Sequence, residues 1–181
     1  MRDPKNLIWL DLEMTGLDPE RDTILEIGTL VTDGELHVLA EGPCLAIRQP
    51  EEVLARMDPW CVKQHGQSGL TRRSLESTIS MAEAQAMTLE FVAKHCPERK
   101  VPLCGNTIGQ DRRFLIRYMP RLHDYFHYRS IDVSTVKELV QRWYPGSAYK
   151  YDKAKEHEAM NDIRESVAEL AFYRENFFRK P

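Results

Sequence analysis

Runs of apolar residues in the first third of the chain have the pattern of β-strands. Residues 6–14 are almost continuously apolar, with charges only towards the end of the run, as is typical of a strand buried on both faces in the middle of a sheet. Residues 23–32 and 35–47 form two more β-rich runs, joined by Asp33-Gly34. Because this dipeptide is favoured in tight hairpin turns, the two strands are expected to be antiparallel.

Helix signals dominate the rest of the chain. Ser80 is followed three residues later by Glu83, a capping box that predicts a helix over residues 81–95. Further helices are predicted over residues 110–119, over residues 135–144, where Thr135 and Glu138 repeat the capping pattern, and near the C-terminal end, where apolar residues recur at spacings of three and four.

Two short strands, over residues 101–104 and 130–133, are predicted between these helices. A hairpin followed by alternating helices and strands is typical of an α/β domain with a mixed sheet. The sequence therefore predicts a single domain over residues 1–181.

Composition excludes several classes of protein. The chain is 42% hydrophobic and 29% charged, as is usual for a soluble globular protein. It has no apolar run long enough to cross a bilayer and no signal-peptide pattern, so a cytoplasmic protein without membrane contact is expected. Its four cysteines are far apart and form no Cys-x-x-Cys pair, which indicates buried thiols rather than a zinc site or a disulfide framework.

The net charge limits the kind of nucleic acid that the chain could bind. Proteins that hold long nucleic acids use many Lys and Arg contacts to phosphate, whereas this chain has a formal net charge of −3. A substrate of a few nucleotides has few phosphates, and metal ions held by acidic residues can supply positive charge locally. The charge thus argues against a long nucleic acid but not against a short one.

Two acidic residues mark the end of the first strand. Asp11 and Glu13 are two positions apart, so their side chains project from the same face. Two neighbouring carboxylates repel each other unless a cation lies between them, and hard oxygen ligands suit Mg²⁺ or Mn²⁺. The simpler explanation of this pair alone is an exposed strand end with two solvated acids.

Three more candidates for a metal site have equally simple explanations when each is taken alone. Asp111 opens a predicted helix, where an acid complements the helix dipole. Asp162 lies at the edge of the apolar stripe of the last helix, where a lone acid usually faces solvent. His157 comes five positions earlier, so the two would not share a face of one helix. We expect His157 in a loop that leads into this helix, although a lone histidine in a charged segment is usually a surface residue.

Four segments together resemble the DEDD exonucleases, in the branch with a catalytic histidine, and within it the oligoribonuclease family. They are Leu10-Asp-Leu-Glu-Met-Thr-Gly-Leu-Asp18, Cys104-Gly-Asn-Thr-Ile-Gly-Gln-Asp-Arg-Arg-Phe114, Tyr128-Arg-Ser-Ile-Asp-Val-Ser-Thr135 and His157-Glu-Ala-Met-Asn-Asp-Ile-Arg-Glu-Ser166. Their order and their extent over almost the whole chain outweigh the separate simple explanations.

The resemblance implies a ribonuclease H-like fold and a 3′-to-5′ exoribonuclease that releases nucleoside 5′-monophosphates from short RNA. It implies that four carboxylates hold two divalent cations, Mg²⁺ or Mn²⁺: Asp11, Glu13, Asp111 and Asp162. His157 would act as the general base that activates water, because a neutral histidine accepts a proton near physiological pH.

The resemblance also implies a set of substrate-binding residues. Leu17 and Trp60 would pack against the bases, and His65 would lie near the 3′ nucleotide, although ordinary packing or a surface position explains each of them too. Thr107, Arg129 and Ser134 would cap the 5′ phosphate and so favour dinucleotides. Family members of this kind are homodimers in which the residue matching Tyr128 reaches the partner's active site, so a homodimer is expected here.

The chain departs from the family pattern at several positions. Asn161 precedes Asp162 where two consecutive acids are frequent, which removes a charge beside the metal ligand. Thr107 replaces the usual serine and keeps the hydroxyl. The segment over residues 150–156, just before His157, is more charged than the glycine-containing stretch expected there.

Three alternatives compete with this interpretation. Another histidine-type DEDD exonuclease, such as a proofreading nuclease or ribonuclease T, would act on longer RNA or DNA 3′ ends, but should have basic patches that follow a nucleic-acid backbone. A signalling receiver domain also places acids at strand ends, but alternates strands and helices from the start, unlike the hairpin expected here. An inactive binding module would not need all five catalytic positions, which this chain has.

Overall fold

The apolar run at the N-terminus forms the central strand of a mixed sheet. In the computed structural model, which describes residues 2–146 and 159–179, this strand is β1 (Leu7–Met14). The other strands are β2 (Ile24–Thr32), β3 (Val38–Ala46), β4 (Leu103–Gly105) and β5 (Ser130–Asp132). The sheet order is β3-β2-β1-β4-β5; β2 is antiparallel to β1 and β3, whereas β4 is parallel to β1 and β5. The predicted α/β fold with a mixed sheet is confirmed.

Helices connect the strands and cover both faces of the sheet. In the described part of the chain they are α1 (Glu51–Leu54), α2 (Pro59–Gln67), α3 (Leu70–Glu76), α4 (Met81–His95), α5 (Ile108–Tyr118), α6 (Pro120–Tyr125), α7 (Val133–Trp143) and α8 (Ala159–Phe177). None of these helices is long and apolar enough to span a bilayer.

Alternation along β1 decides which residues face which helices. Ile8 and Leu10 pack into the cluster beneath α4, α5 and α6, while Trp9 packs into the cluster beneath α7 and α8. Because successive side chains of a strand point to opposite faces, Asp11 and Glu13 lie on the same face as Trp9, towards α8. The alternation that places Trp9 in the core therefore also places Asp11 and Glu13 on the face of the sheet towards α8.

The hairpin between β2 and β3 differs from the tight turn predicted at Asp33-Gly34. Residues 33–37 connect the two strands, and the left-handed residue is Leu36, with a φ of 73°. One carboxylate oxygen of Asp33 accepts hydrogen bonds from the backbone N–H groups of Glu35 (2.8 Å) and His37 (2.9 Å). The side chain of Asp33 thus organises a longer loop, although the strands are antiparallel as predicted.

The helices follow their local signals to different degrees. α4 begins at the predicted capping box, where Ser80 accepts a hydrogen bond from the N–H of Glu83 and the Glu83 side chain accepts one from the N–H of Ser80. α7 begins two residues earlier than predicted, because the carboxylate of Asp132 accepts a hydrogen bond from the N–H of Ser134 and takes the capping role expected of Thr135. The short helices α1, α2, α3 and α6 were not predicted.

Candidate active site

Three carboxylates meet where β1 ends beside α8. Asp11 and Glu13 project from β1, and Asp162 lies in the first turn of α8. One ligand atom from each of the three lies within 4.8 Å of the other two. Residues from opposite ends of the sequence are thus brought close enough to share a cation.

Asp111, the fourth predicted ligand, lies beside this group in the first turn of α5. Its side chain is buried, and its Oδ1 accepts a hydrogen bond of 2.9 Å from the backbone N–H of Leu12, the residue between the two acids of β1. Burial raises the pKa of Asp111 to about 7, against the lowering effect of this hydrogen bond. Asp111 therefore belongs to the same acidic environment, with one oxygen held by the strand.

Burial, and after it the charges of neighbouring carboxylates, raise the pKa of both acids of β1. Burial raises the pKa of Asp11 well above its usual range, and the neighbouring carboxylates, Asp111 first among them, raise it further. Burial, followed by the charge of Asp162 and then that of Glu26, raises the pKa of Glu13 to about 8. Acids arranged in this way hold protons at neutral pH unless a cation neutralises them. The cluster consists of hard oxygen donors, so its residues fit a divalent metal ion.

His65 closes one side of the acidic cluster from α2. Its Nε2 donates a hydrogen bond of 2.8 Å to the carbonyl oxygen of Met14, and its Nδ1 lies 3.9 Å from a carboxylate oxygen of Glu13. The side chain is buried, so its alternative interpretation as a surface residue is wrong. A histidine held in this way directs one ring nitrogen towards a predicted metal ligand.

A cavity of about 470 Å³ lies next to His65 and is lined by both residues expected to contact bases. Leu17 and Trp60 are 71% and 65% exposed. Ordinary packing therefore explains neither of these apolar side chains, although Leu17 is anchored by a hydrogen bond from Gln110 Nε2 to its carbonyl oxygen. Large exposed apolar side chains at the rim of a cavity are typical of a ligand-binding surface.

Two of the three residues expected at the 5′ phosphate are in contact. The backbone N–H of Thr107 donates a hydrogen bond of 2.8 Å to Ser134 Oγ, and the two hydroxyl oxygens are 3.0 Å apart. The Arg129 guanidinium lies over the Tyr128 ring, 5.4 Å from its centroid. Within the described ranges, no hydrogen bond joins Arg129 to Thr107 or Ser134. His157, the predicted general base, lies outside the described residues.

Comparison with known proteins identifies the family. A family model described as "Exonuclease" matches residues 8–170. Two proteins named "Oligoribonuclease", from Pseudomonas paraeruginosa strain PA7 and Pseudomonas aeruginosa strain PAO1, are 61% and 60% identical to the chain over 179 residues, which is 99% of this chain and 99% of each relative. The chain belongs to the oligoribonuclease family of exonucleases.

Solved structures of larger exonucleases have the same fold. The oligoribonuclease-family chain matches exonuclease I of Methylocaldum szegediense with a TM-score of 0.72 and 20% identity, over 95% of this chain and 41% of that one. It matches a zinc-bound complex of E. coli exonuclease I with single-stranded DNA with a TM-score of 0.75 and 17% identity, over 96% of this chain and 41% of that one. At these identities the comparison shows the ribonuclease H-like fold alone.

Two charged residues near the site of this oligoribonuclease-family chain were missed by sequence reasoning. Glu26 belongs to an apolar run and has no neighbouring signal, yet its charge acts on both acids of β1. Arg73 lies in the unpredicted helix α3 and lowers the pKa of Glu13, against the larger raising effects. No local pattern points to Glu26, because β2 is buried at every position and the partner of Glu26 in the sheet register, Glu13, comes from another strand.

Proposed function

We propose that the chain is a 3′-to-5′ exoribonuclease that hydrolyses short oligoribonucleotides, especially dinucleotides, to nucleoside 5′-monophosphates with two divalent cations, Mg²⁺ or Mn²⁺. The observation that carries this proposal is the meeting of Asp11, Glu13 and Asp162 within 4.8 Å in a chain about 60% identical to proteins named "Oligoribonuclease". The runner-up is an exonuclease that acts on longer 3′ ends. The formal net charge of −3 counts against it.

Asp11, Glu13, Asp111 and Asp162 would hold the cations, which when bound supply Lewis acidity at phosphate oxygens. Burial and mutual repulsion raise the pKa of Asp11 and Glu13, so these acids would lose their protons most readily when cations bind, and the bound cations would supply the positive charge that attracts phosphate. His157 would take the proton of the attacking water, as a neutral imidazole can do near physiological pH.

The cavity beside the acidic cluster would receive the bases at the 3′ end. Trp60 offers an exposed ring and Leu17 an exposed apolar side chain at its rim. Stacking a base on an aromatic ring contributes about 1–3 kcal/mol and tolerates any base. His65 is fixed by the Met14 carbonyl at the wall nearest Glu13, where the 3′ nucleotide would lie.

Thr107 and Ser134 would bind the 5′ phosphate together with Arg129. The two hydroxyl groups are in contact, because the start of α5, at Thr107, lies beside the start of α7, at Ser134. Thr107 has the left-handed backbone conformation, with a φ of 53°. Arg129 adds a guanidinium that can donate two parallel hydrogen bonds to a terminal phosphate. Such a cap would occupy the path of a longer chain, which supports a preference for dinucleotides.

A homodimer and a cytoplasmic location complete the proposal. Tyr128, Trp143 and Tyr144 are exposed, which supports an aromatic contact surface, whereas the neighbouring aromatic Phe126 is buried in the core. Tyr128 would reach the active site of the second copy. The location stays a prediction.

A time course on 5′-labelled RNAs of two to seven nucleotides tests the proposed activity. With Mg²⁺ or Mn²⁺, we expect cleavage that starts at the 3′ end, releases nucleoside 5′-monophosphates and is fastest on the dinucleotide. A chelator should stop it, because it would remove the cations that the carboxylate cluster would hold. Cleavage that survives the chelator would contradict the metal site, and faster cleavage of the longest RNAs, or of DNA, would favour the runner-up.

Removal of Arg129 tests the cap. We expect Arg129→Ala to lower kcat/KM on a 5′-phosphorylated dinucleotide by about 10–100-fold, equivalent to the loss of a charge-assisted contact of about 1.5–3 kcal/mol. The same variant should affect a five-nucleotide RNA much less. Arg174→Ala, which removes an exposed arginine paired with Glu35, is the control and should leave both rates unchanged. Equal losses on both RNAs would refute a cap.

A further inference from the structure

A fifth carboxylate lies behind the acidic cluster, and its contacts differ from those of the other four. Glu26 is 0% exposed on β2 and pairs with Glu13 of β1 in the sheet register. Its Oε1 accepts a hydrogen bond from Nη1 of Arg73, which reaches it from α3. Its Oε2 accepts a hydrogen bond of 3.3 Å from the backbone N–H of Ala159, the first residue of α8. One buried side chain thus joins three elements.

The contact with Ala159 places a negative charge at the N-terminus of α8. The first N–H groups of a helix have no partner within the helix, and the helix dipole favours an anion there. A fully buried carboxylate is strongly unfavourable unless it is paired and hydrogen-bonded, and Arg73 with Ala159 supplies both conditions. The two contacts thus satisfy both oxygens of a side chain that has no access to water, one from α3 and one from the start of α8.

The backbone of β2 approaches the same turn of α8. A Cβ atom at Gly28 would lie 3.0 Å from Cβ of Ala159 and 3.1 Å from Cδ1 of Ile163, which is too close for most side chains. Gly28 and Glu26 are two positions apart and so face the same side of the sheet. Gly28 thus allows α8 to pack closely against β2, and Glu26 on the same face accepts a hydrogen bond from the first residue of α8.

We propose that Glu26 and Arg73 are positioning residues that hold the first turn of α8, and with it Asp162, against the end of β1. Asp162 is three residues after Ala159, within the same turn, so a shift of this helix start moves a predicted metal ligand. This inference rests on the proposed function, because it assigns the pair a role in forming the metal site.

Positioning and charge make different predictions for Glu26→Asp. Aspartate keeps the negative charge but is one methylene shorter, so it cannot span both Arg73 and the N–H of Ala159 from the same backbone position. If the pair only balances charge, aspartate should replace glutamate. If the pair positions α8, aspartate should fail although the net charge is unchanged.

The test compares wild type with Glu26→Asp in three measurements. Titration calorimetry with Mn²⁺ in the absence of RNA should show affinity reduced by about 10–100-fold, the usual effect of removing a group that orients a metal ligand. Hydrogen exchange at the amide of Ala159 should become faster, because its acceptor is lost. With Mn²⁺ present and the RNA concentration varied, kcat should fall by a larger factor than KM changes, since the base cavity is formed by other residues.

Arg73→Lys is the second variant and Arg72→Lys its matched control. Lysine keeps the charge of Arg73 but lacks the planar guanidinium group, so Arg73→Lys should show smaller changes of the same kind in Mn²⁺ affinity, amide exchange and kcat. If Glu26→Asp does not fold, these measurements on Arg73→Lys test the positioning role. Arg72 precedes it on α3 and makes an exposed pair with Glu76, so Arg72→Lys should behave like wild type.

Wild-type metal affinity and amide exchange in both Glu26→Asp and Arg73→Lys would overturn the positioning role. A lower melting temperature alone, with unchanged Mn²⁺ affinity of the folded protein, would also overturn it. Failure of the wild type to cleave RNA would instead refute the proposed function, while calorimetry and amide exchange, which need no turnover, would still decide the role of the pair.

Discussion

Asp11→Asn is expected to lower kcat by at least about 10³-fold, because a ligand to a catalytic cation contributes several kcal/mol to transition-state stabilisation. Asparagine in place of Asp11 would keep the size of the side chain and lose the charge that faces Glu13 and Asp162. Asp11 lies among other carboxylates, and asparagine has almost the same volume as aspartate, so the substitution removes a predicted metal ligand without opening a cavity in the core.

The same substitution should stabilise the metal-free protein at high pH. Burial and the neighbouring acids raise the pKa of Asp11 above its value in the unfolded chain, so the folded state binds more protons than the unfolded state. The contribution of Asp11 and Glu13 to the stability of the wild type is therefore fully present at low pH and is lost as pH rises through the folded-state pKa; for Glu13 this window extends from the ordinary pKa of 4.5 to about 8. Asparagine at position 11 cannot ionise, so it removes one negative charge from this group of neighbouring acids and should raise the free energy of unfolding at high pH.

Thermal unfolding and turnover check both parts of this expectation. At a pH of about 8 and without metal, Asp11→Asn should melt about 2–4 °C or more above wild type, as expected for about 1 kcal/mol in a chain of this size. At a pH of about 5 the difference should shrink. Asp124→Asn, at an exposed aspartate beside His123, is the control and should change neither quantity. A variant that is less stable at both pH values, or that keeps kcat, would contradict the metal-ligand role.

The sequence was sufficient for features that depend on neighbouring residues along the chain. The almost continuous apolar run over residues 6–14 predicted the buried centre of β1, and the two-residue period of a strand predicted the common face of Asp11 and Glu13. The start of α4 was predicted at Ser80, because a capping box is satisfied within four residues.

Features that depend on distant residues could not be predicted in this way. Glu26 lies in an apolar strand, and its partners Arg73 and Ala159 are 47 and 133 positions away. α3 has seven residues, too few to display a clear helical period, and it is held by the burial of Leu70 in a small separate cluster. The family resemblance located the predicted ligands, but only the fold shows the buried carboxylate that joins β2 to α8.

His157→Ala should separate proton transfer from metal binding. We expect kcat to fall by about 10²–10⁴-fold, the usual contribution of a general base. Calorimetric affinity for Mn²⁺ and the melting temperature should stay close to wild type, because the carboxylates that would hold the cation are unchanged. His37→Ala, at an exposed histidine paired with Asp33, is the control for loss of an imidazole and should keep wild-type turnover.

The contrast between Asp11→Asn and His157→Ala makes the assignment of roles testable. The first variant should lose Mn²⁺ affinity and turnover together, whereas the second should lose turnover alone, because only the first removes an oxygen from the group that meets within 4.8 Å. Loss of Mn²⁺ affinity in His157→Ala would make this residue a metal ligand instead of a base. Turnover near that of wild type in His157→Ala would show that His157 is not the general base. The proton of the attacking water would then need another acceptor near the acidic cluster, and His65, whose Nδ1 lies 3.9 Å from a carboxylate oxygen of Glu13, would be the first residue to test.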